Sequence, residues 1–442
     1  MSEILSGLPK VMGCDAAKRP LRIGFVYSRL PFPMMRGDQL TVAHLLGFLS
    51  ARGHKVDFFT LDADGVMTKE QGDWLAKNCR TVRIYSQSVL TKLRGLLLSI
   101  LGGLPLQVGL FRNAQLESAV RGNIAKSEYD VVYAYYLRSA PVVPKHLGRG
   151  AVSFLAMQLS QTLNTERLYR GERKFWKKFL YWLEWRLLAR YESSIWRDFD
   201  RVVLIGPQDV LAIQAVCRQK RQPEMDNWIY GAHGTDTQKF VAARSDEVVA
   251  NRVVFSGSML YAPNVQAVLW FVNHCWPKII AERPGAEFIV QGRDPVPEIR
   301  SLHGRDGIVV TGTVPDVGAY IRSAAVCVAP IRAAGGMQNK IIEYMASAKA
   351  LVATTIANEG IMAPAETLSI ADTADEFAAE VISLLSDASR AQELGRRARN
   401  YVLANWTWEA HFLKLEENMY SALEGKRAPE AIDRLHSGKL KL

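Results

Sequence analysis

Short apolar runs recur through the first half of the chain, at "LRIGFV" (21–26), "KVDFF" (55–59), "TVRIY" (81–85), "DVVYAY" (130–135), "AVSFLA" (151–156) and "RVVLI" (201–205). Between them the spacing changes to three and four, as in "DQLTVAHLLGFLSARGH", where Leu45, Leu46 and Leu49 turn inward and Gly53 ends the helix. Such alternation predicts βαβ units and a parallel sheet. The rhythm lapses over 216–240, "VCRQKRQPEMDNWIYGAHGTDTQKF", which is charged, rich in turn residues and reads as a linker. A second series follows: "RVVFSG" (252–257), "AEFIVQG" (286–292), "GIVVTG" (307–312), "AVCVAP" (325–330), "LVATT" (351–355) and "TLSI" (367–370).

The pattern predicts an α/β protein of two doubly wound, Rossmann-like domains, 21–215 and 241–404, facing a central cleft. Ligands bind at the carboxyl ends of strands in such sheets, so the active site is expected between the domains. Residues 1–20 read as a flexible leader without a signal-peptide pattern. An amphipathic helix at 405–424 is expected to pack back on the first domain, with 425–442 as a solvated tail.

Two stretches bear on membranes. "GLLLSILGGLPLQVGLF" (95–111) is uncharged, but it is short for a span and is broken by Gly102, Gly103 and Pro105, which predicts a buried or interfacial segment. "RKFWKKFLYWLEWRLLARYESSIW" (173–196) carries a helical stripe of Trp176, Leu180, Leu183, Leu187, Tyr191 and Ile195 beside Lys174, Lys177 and Lys178. It suits a membrane surface or packing on its own domain, and packing is the commoner use of such a stripe.

Composition narrows the classes. With 442 residues and 48% hydrophobic content the chain can build two cores, and 55 basic against 44 acidic residues give a charge of +11 that suits an anionic partner. Nucleotide diphosphates, anionic lipid and nucleic acid all qualify, although no interleaved aromatic and basic module supports nucleic acid. The cysteines, Cys14, Cys79, Cys217, Cys275 and Cys327, have neither disulfide nor zinc spacing, and a reducing cytoplasm is the simplest compartment.

The chemistry gathers in "PIRAAGGMQNKIIEYMASAKALVATTIANEGI" (330–361). A strand leads through a loop containing Gly335 and Gly336 into a helix with Lys340 in its first turn and Glu343 three residues on. A helix amino end offers unpaired N–H groups to phosphate. Amides, Lys340 and Arg332 would meet a diphosphate while Glu343 accepts from a ribose diol. Equally, Lys340 and Glu343 form an ordinary solvated pair on a helix, and Gly-Gly an ordinary turn.

This fragment resembles the nucleotide-binding signature of group 1 glycosyltransferases of the GT-B fold, and most closely the exopolysaccharide and exosortase-associated sugar transferases. The likeness is nearly continuous over 252–412, including "VVFSGSMLYAPNVQAVLWFVNHCWPKIIAERPGAEFIVQGRDP". In the first half it is thinner: "YSRLPFPMMRGDQL" is similar to the glycine loop after the first strand, and "GAHGTDTQKF" to the Asn-Gly-Val-Asp linker, with His233 in the Asn place. The resemblance implies that Glu343 is the second glutamate of the family's pair, the one that holds ribose. Gly335 stands where the first glutamate is usual, and Ser258 where many members carry an arginine near the diphosphate. Lys340, Arg332 and Arg293 are the cations left to take that role, with Gly257 and Gly37 in the glycine-rich walls and Arg36 beside Gly37. Asp38 and Glu343 are the candidate catalytic carboxylates; Asp38 also suits a plain N-cap. His44 and Glu166 have the chemistry of a general base but no stronger signal.

The resemblance further implies a donor that is a nucleotide-diphosphate sugar, no cofactor and no bound metal. The acceptor it implies is a growing, lipid-linked glycan at the cytoplasmic face of a membrane. Basic charge and the aromatic helix would hold the first domain there. Two rivals share the fold: a sugar-nucleotide epimerase, and a scaffold of a polysaccharide assembly complex that binds nucleotide or glycan without turnover.

Overall fold

The computed structural model describes residues 18–437 apart from 33, 35–36, 63–66, 127–128, 146, 148–149, 173, 232–233 and 333–336. The chain divides into two compact units, Met1–Ala232 with His411–Leu442, and His233–Ala410.

The first unit opens with β1 (Arg22–Tyr27), α1 (Gly37–Ala51), β2 (Lys55–Asp62), α2 (Lys69–Asn78) and β3 (Thr81–Ser86). Helices α3 (Val89–Gly102), α4 (Leu106–Leu110) and α5 (Ala114–Lys126) lead to β4 (Val131–Tyr135) and β5 (Val152–Gln158). Then come α6 (Gln161–Gly171), α7 (Phe175–Ile195), β6 (Arg201–Leu204), α8 (Pro207–Gln219) and β7 (Trp228–Tyr230). All seven strands run parallel in the order β3-β2-β1-β4-β5-β6-β7. Helices cover both faces of a doubly wound sheet, which is why β4 and β5 are buried at every position and read as unbroken apolar runs.

The second unit repeats the plan. It contains β8 (Arg252–Ser256), α9 (Ala262–His274), α10 (Trp276–Glu282), β9 (Glu287–Gln291), α11 (Pro297–Arg300), β10 (Ile308–Gly312) and α12 (Val317–Ser323). β11 (Val326–Ala329), α13 (Asn339–Ala346), β12 (Ala350–Ala353), α14 (Thr355–Asn358), β13 (Ser369–Ile370), α15 (Ala374–Ser386) and α16 (Ala388–Asn405) complete it. The strand order is β10-β9-β8-β11-β12-β13, so the winding reverses between β8 and β11. Phe271, Trp276 and Phe288 fill the space under α9 and α10, with Phe271 and Phe288 centroids 4.7 Å apart.

Three expectations change. The stretch 216–240 is not all linker: α8 runs on to Gln219, and Trp228–Tyr230 adds a seventh strand along β6. Three residues are too few to show a period, and the strand is held in part by Asn227, whose amide donates to the carbonyls of Trp196 and Phe199 at 3.1 and 2.7 Å. The last helix, α17 (Trp408–Ser437), starts after a break at Trp406–Thr407 and continues beyond 424, through residues expected to be a solvated tail. From His411 onward it belongs to the first unit, where Phe412 meets Phe48 with centroids 5.4 Å apart.

The segment 95–111 also departs from a buried reading. α3 ends at Gly103 with φ 63°, and only its small-residue side packs, because a Cβ on Gly95 would collide with the Gly109 carbonyl. Its large aliphatic side chains are exposed, apart from the half-buried Leu96. The stripe on α7 divides: Ile195 and Tyr191 join the core, whereas Trp176 and Leu180 are exposed. No helix among the described residues is long and apolar enough to cross a membrane. Residues 1–17 and 438–442, with Arg36, His233, Gly335 and Gly336, lie outside the described residues.

Candidate functional site

A cavity of about 540 Å³ opens in the second unit at the reversal between β8 and β11, the place where doubly wound sheets take ligands. Its walls include the turn Gly257-Ser258 after β8, the turn Gly292-Arg293 after β9, Gly312, Thr313 and Val314 at the end of β10, and the start of α13. Glycine is required where the first two meet, since a Cβ on Gly292 would collide with the Gly257 carbonyl oxygen. A Cβ on Gly257 would stand 2.6 Å from Asn264 Nδ2 and 3.1 Å from Lys340 Nζ. The backbone therefore approaches the site more closely than a side chain would permit.

α13 is fixed from its far side. Its Tyr344 hydroxyl, fully buried, accepts from the Ser256 N–H at 2.6 Å and from Ser256 Oγ at 2.9 Å. This ties the helix to the end of β8 and aims its amino end at the cavity. Gln338 stands at the N-cap without a side-chain cap bond, and the Ile341 N–H donates to its carbonyl at 3.0 Å, so the N–H groups of Asn339 and Lys340 are the ones placed to meet an anion.

Lys340 is 7% exposed, so the solvated pair expected of an ordinary surface helix is not what the fold makes. Its ammonium donates to Asn264 Oδ1 at 2.5 Å and lies 4.2 Å from the Phe255 ring centroid. Asn264 Nδ2 in turn donates to the Ser258 carbonyl at 2.9 Å. Burial pushes the ammonium down to about 7, against the pull of Glu343. Burial raises Glu343, with Lys239 and Lys340 opposing it. A bound diphosphate would reverse the first shift by supplying the charge that the cavity lacks.

The structure brings Gly257, Arg293, Lys340 and Glu343 to this one cavity. Arg332 is not among its lining residues; its guanidinium stacks over Trp270 at 4.9 Å. Ser258 lines the cavity, and Lys340 stands beside Gly257 as the nearby cation. Gly37 and Asp38 belong to the first unit at the start of α1. There Asp38 accepts from the Tyr27 hydroxyl at 2.9 Å and lies 3.9 Å from Arg138 Nη2. His44 is buried in α1, and Glu166 on α6 pairs with Arg170.

Sequence reasoning missed Asn264, Lys239 and Gln291. Gln291 is 1% exposed, lines the cavity, and neither its Nε2 nor its Oε1 has a hydrogen-bond partner among the described residues. A polar residue closing the apolar run "AEFIVQG" was the available signal, because a strand end at a winding reversal is where a buried amide serves a ligand. Among the described residues no group of three His, Cys, Asp or Glu side chains could hold a metal ion.

Residues 250–387 match the family model described as glycosyl transferases group 1. A protein described as an uncharacterized 44.6 kDa protein in the cps region of Klebsiella pneumoniae is 21% identical over 398 residues, covering 87% of this chain and 96% of that protein. Among solved structures, a glycosyltransferase from Rickettsia africae aligns with TM-score 0.58 at 13% identity, over 92% of this chain and 99% of that one. Anabaena HepE in complex with UDP-glucose aligns with TM-score 0.55 at 14% identity, over 91% and 100%. TarM aligns with TM-score 0.62 at 10% identity, over 92% and 99%. The family match spans most of the unit that carries the cavity and the fold match nearly all of the chain, so the second unit is similar to the group 1 glycosyltransferases and the chain has the GT-B fold.

Proposed function

We propose that this glycosyltransferase moves a sugar from a nucleotide-diphosphate donor to a growing, lipid-linked glycan in cell-surface polysaccharide synthesis, working at the cytoplasmic face of a membrane. The observation that carries the donor assignment is the cavity at α13, which is lined by Gly257 together with Asn339 and the buried Lys340 of the helix's first turn. That arrangement suits a diphosphate, with Glu343 and Gln291 left for the nucleoside and sugar hydroxyls. UDP-glucose in HepE supports the nucleotide-sugar class, and the cps-region relative supports a capsule-type product. The leaving diphosphate would be stabilised by the helix dipole and Lys340, which are in place before the bond breaks. Asp38, held by Tyr27 and Arg138, is the candidate base in the first unit.

The test is nucleotide release from UDP-, GDP- and dTDP-sugars, with and without a membrane extract as acceptor, in wild type, Lys340→Ala and Glu343→Ala. Acceptor-dependent release that is lost in both variants supports transfer and identifies the donor. Nucleotide binding without release under any condition would replace transfer with the scaffold reading, and sugar interconversion without release would replace it with epimerisation.

A further inference from the structure

Helix α3 presents an apolar face that the first unit does not cover. Leu90, Leu93, Leu97 and Leu101 follow one another at helical spacing with exposures of 77, 57, 59 and 76%. Ile100 and Val89 add to them at 55 and 73%. The opposite side, Gly95 and Ser99, is fully engaged against Gly109 of α4. The helix is therefore docked by its small residues, and its large ones other than Leu96 point to solvent. A patch of this size and composition on a folded surface marks an interaction site.

The surroundings select the occupant. At the carboxyl end of α3 a cavity of about 760 Å³ is lined by Gly103, Arg121, Arg190 and Arg197 together with the Lys145–Asp198 pair. Arg190 reaches the helix end itself, its Nη1 lying 3.7 Å from where a Gly103 Cβ would be. On α7, which α4 meets through Glu184 bonds to the Leu106 and Gln107 N–H groups, Phe175, Trp176, Phe179 and Trp182 are exposed beside Lys174, Lys177 and Lys178. Neither 88–112 nor 173–183 contains an acidic residue. A second copy would bring the same positive charge to the contact, whereas a bilayer with anionic headgroups offers apolar depth and the opposite sign.

The geometry points to α3 as a membrane-inserting element: its Leu90–Leu101 face enters the acyl layer of an anionic leaflet, and the arginine cavity at its foot holds a lipid phosphate headgroup. This deepens the lipid-linked acceptor reading and rests on it. The leucines supply apolar contact, the aromatics of α7 sit at headgroup depth, and Arg190 and Arg197 supply the preference for anionic lipid.

The test is flotation of the full chain with vesicles of phosphatidylcholine alone or mixed with phosphatidylglycerol, with UDP binding measured on the same samples. Wild type is expected to float with the mixed vesicles and much less with phosphatidylcholine alone. Leu93→Asp with Leu97→Asp is expected to lower the bound fraction by at least about tenfold while thermal midpoint and UDP affinity stay unchanged, because both side chains are exposed. Arg190→Ala with Arg197→Ala is expected to lose the anionic preference. Equal flotation of the leucine variant and wild type would overturn the proposal. So would a wild-type dimer that ignores vesicles and becomes a monomer in the leucine variant. UDP binding reports the donor reading separately, so failure of either leaves the other measurable.

Discussion

Lys340 Nζ sits 2.5 Å from Asn264 Oδ1, a buried ammonium whose one hydrogen-bond acceptor among the described residues is a neutral amide. Such a charge is costly until an anion arrives, and that cost can be measured. The folded chain gives up the Lys340 proton near pH 7, whereas the ordinary value is 10.5. Across that window the unfolded chain binds more protons, so stability rises with pH, and the penalty is complete below pH 7.

Lys340→Met should lack this slope. In urea denaturation, the stability difference between the variant and wild type is expected to favour Met most below pH 7 and to shrink towards pH 10.5. Nucleotide-sugar affinity should fall by about ten- to hundredfold, the loss of a charge-assisted bond of about 1.5–3 kcal/mol. Parallel pH curves for the two proteins would mean that Lys340 is not desolvated.

Gln291 gives a second separation of stability from binding. Both of its amide atoms are buried in the cavity without a partner among the described residues. Gln291→Met keeps the length and removes the amide, so the ligand-free protein should be as stable as wild type or up to about 1–3 kcal/mol more stable. UDP titration should show weaker binding. Unchanged affinity would take Gln291 out of the site.

Glu192 tests the first unit. One oxygen accepts from the Gln161 N–H at 2.6 Å, and the other from Ser160 Oγ and the Thr162 N–H at 2.9 and 3.1 Å. Those donors favour the carboxylate, but full burial outweighs them and pushes the group up to about 7 from 4.5. The folded chain thus holds the proton across that window, and wild-type stability falls as pH rises through it. Glu192→Gln should match wild type near pH 4.5 and exceed it above pH 7 in thermal midpoint. A variant less stable at every pH would show that the donors win instead.

Glu416 anchors α17 in the first unit. It takes Arg52 Nη2 at 3.0 Å and the His54 Nε2–H at 2.7 Å, while His54 Nδ1 accepts from the Leu21 N–H at 3.0 Å. That arrangement needs neutral His54, and burial, the largest influence, lowers its pKa accordingly, with Glu416 opposing. Glu416→Ala should cost about 3–5 kcal/mol in denaturant unfolding because it leaves Arg52 buried without this carboxylate. Glu416→Gln should cost less, since it keeps an acceptor. A cost under about 1 kcal/mol for Ala would show the cluster to be solvated.

Local pattern determined the alternation of strands and helices, both sheets, and the helix bearing Lys340 and Glu343, because continuous apolar runs and three-four spacing report burial directly. It could not resolve β7, whose three residues have no period, nor extend α17 past 424, where propensity is weak and no apolar face marks an end. Tertiary structure alone decided which polar residues share the cavity. Asn264 from the first turn of α9 and Gln291 from the end of β9 share Lys340's cavity, which forms where the winding reverses between β8 and β11. It also decided that Arg332 stacks on Trp270, and that α3 turns its leucines outward. An apolar run states that a surface avoids water; whether protein or lipid covers it depends on what the fold places alongside.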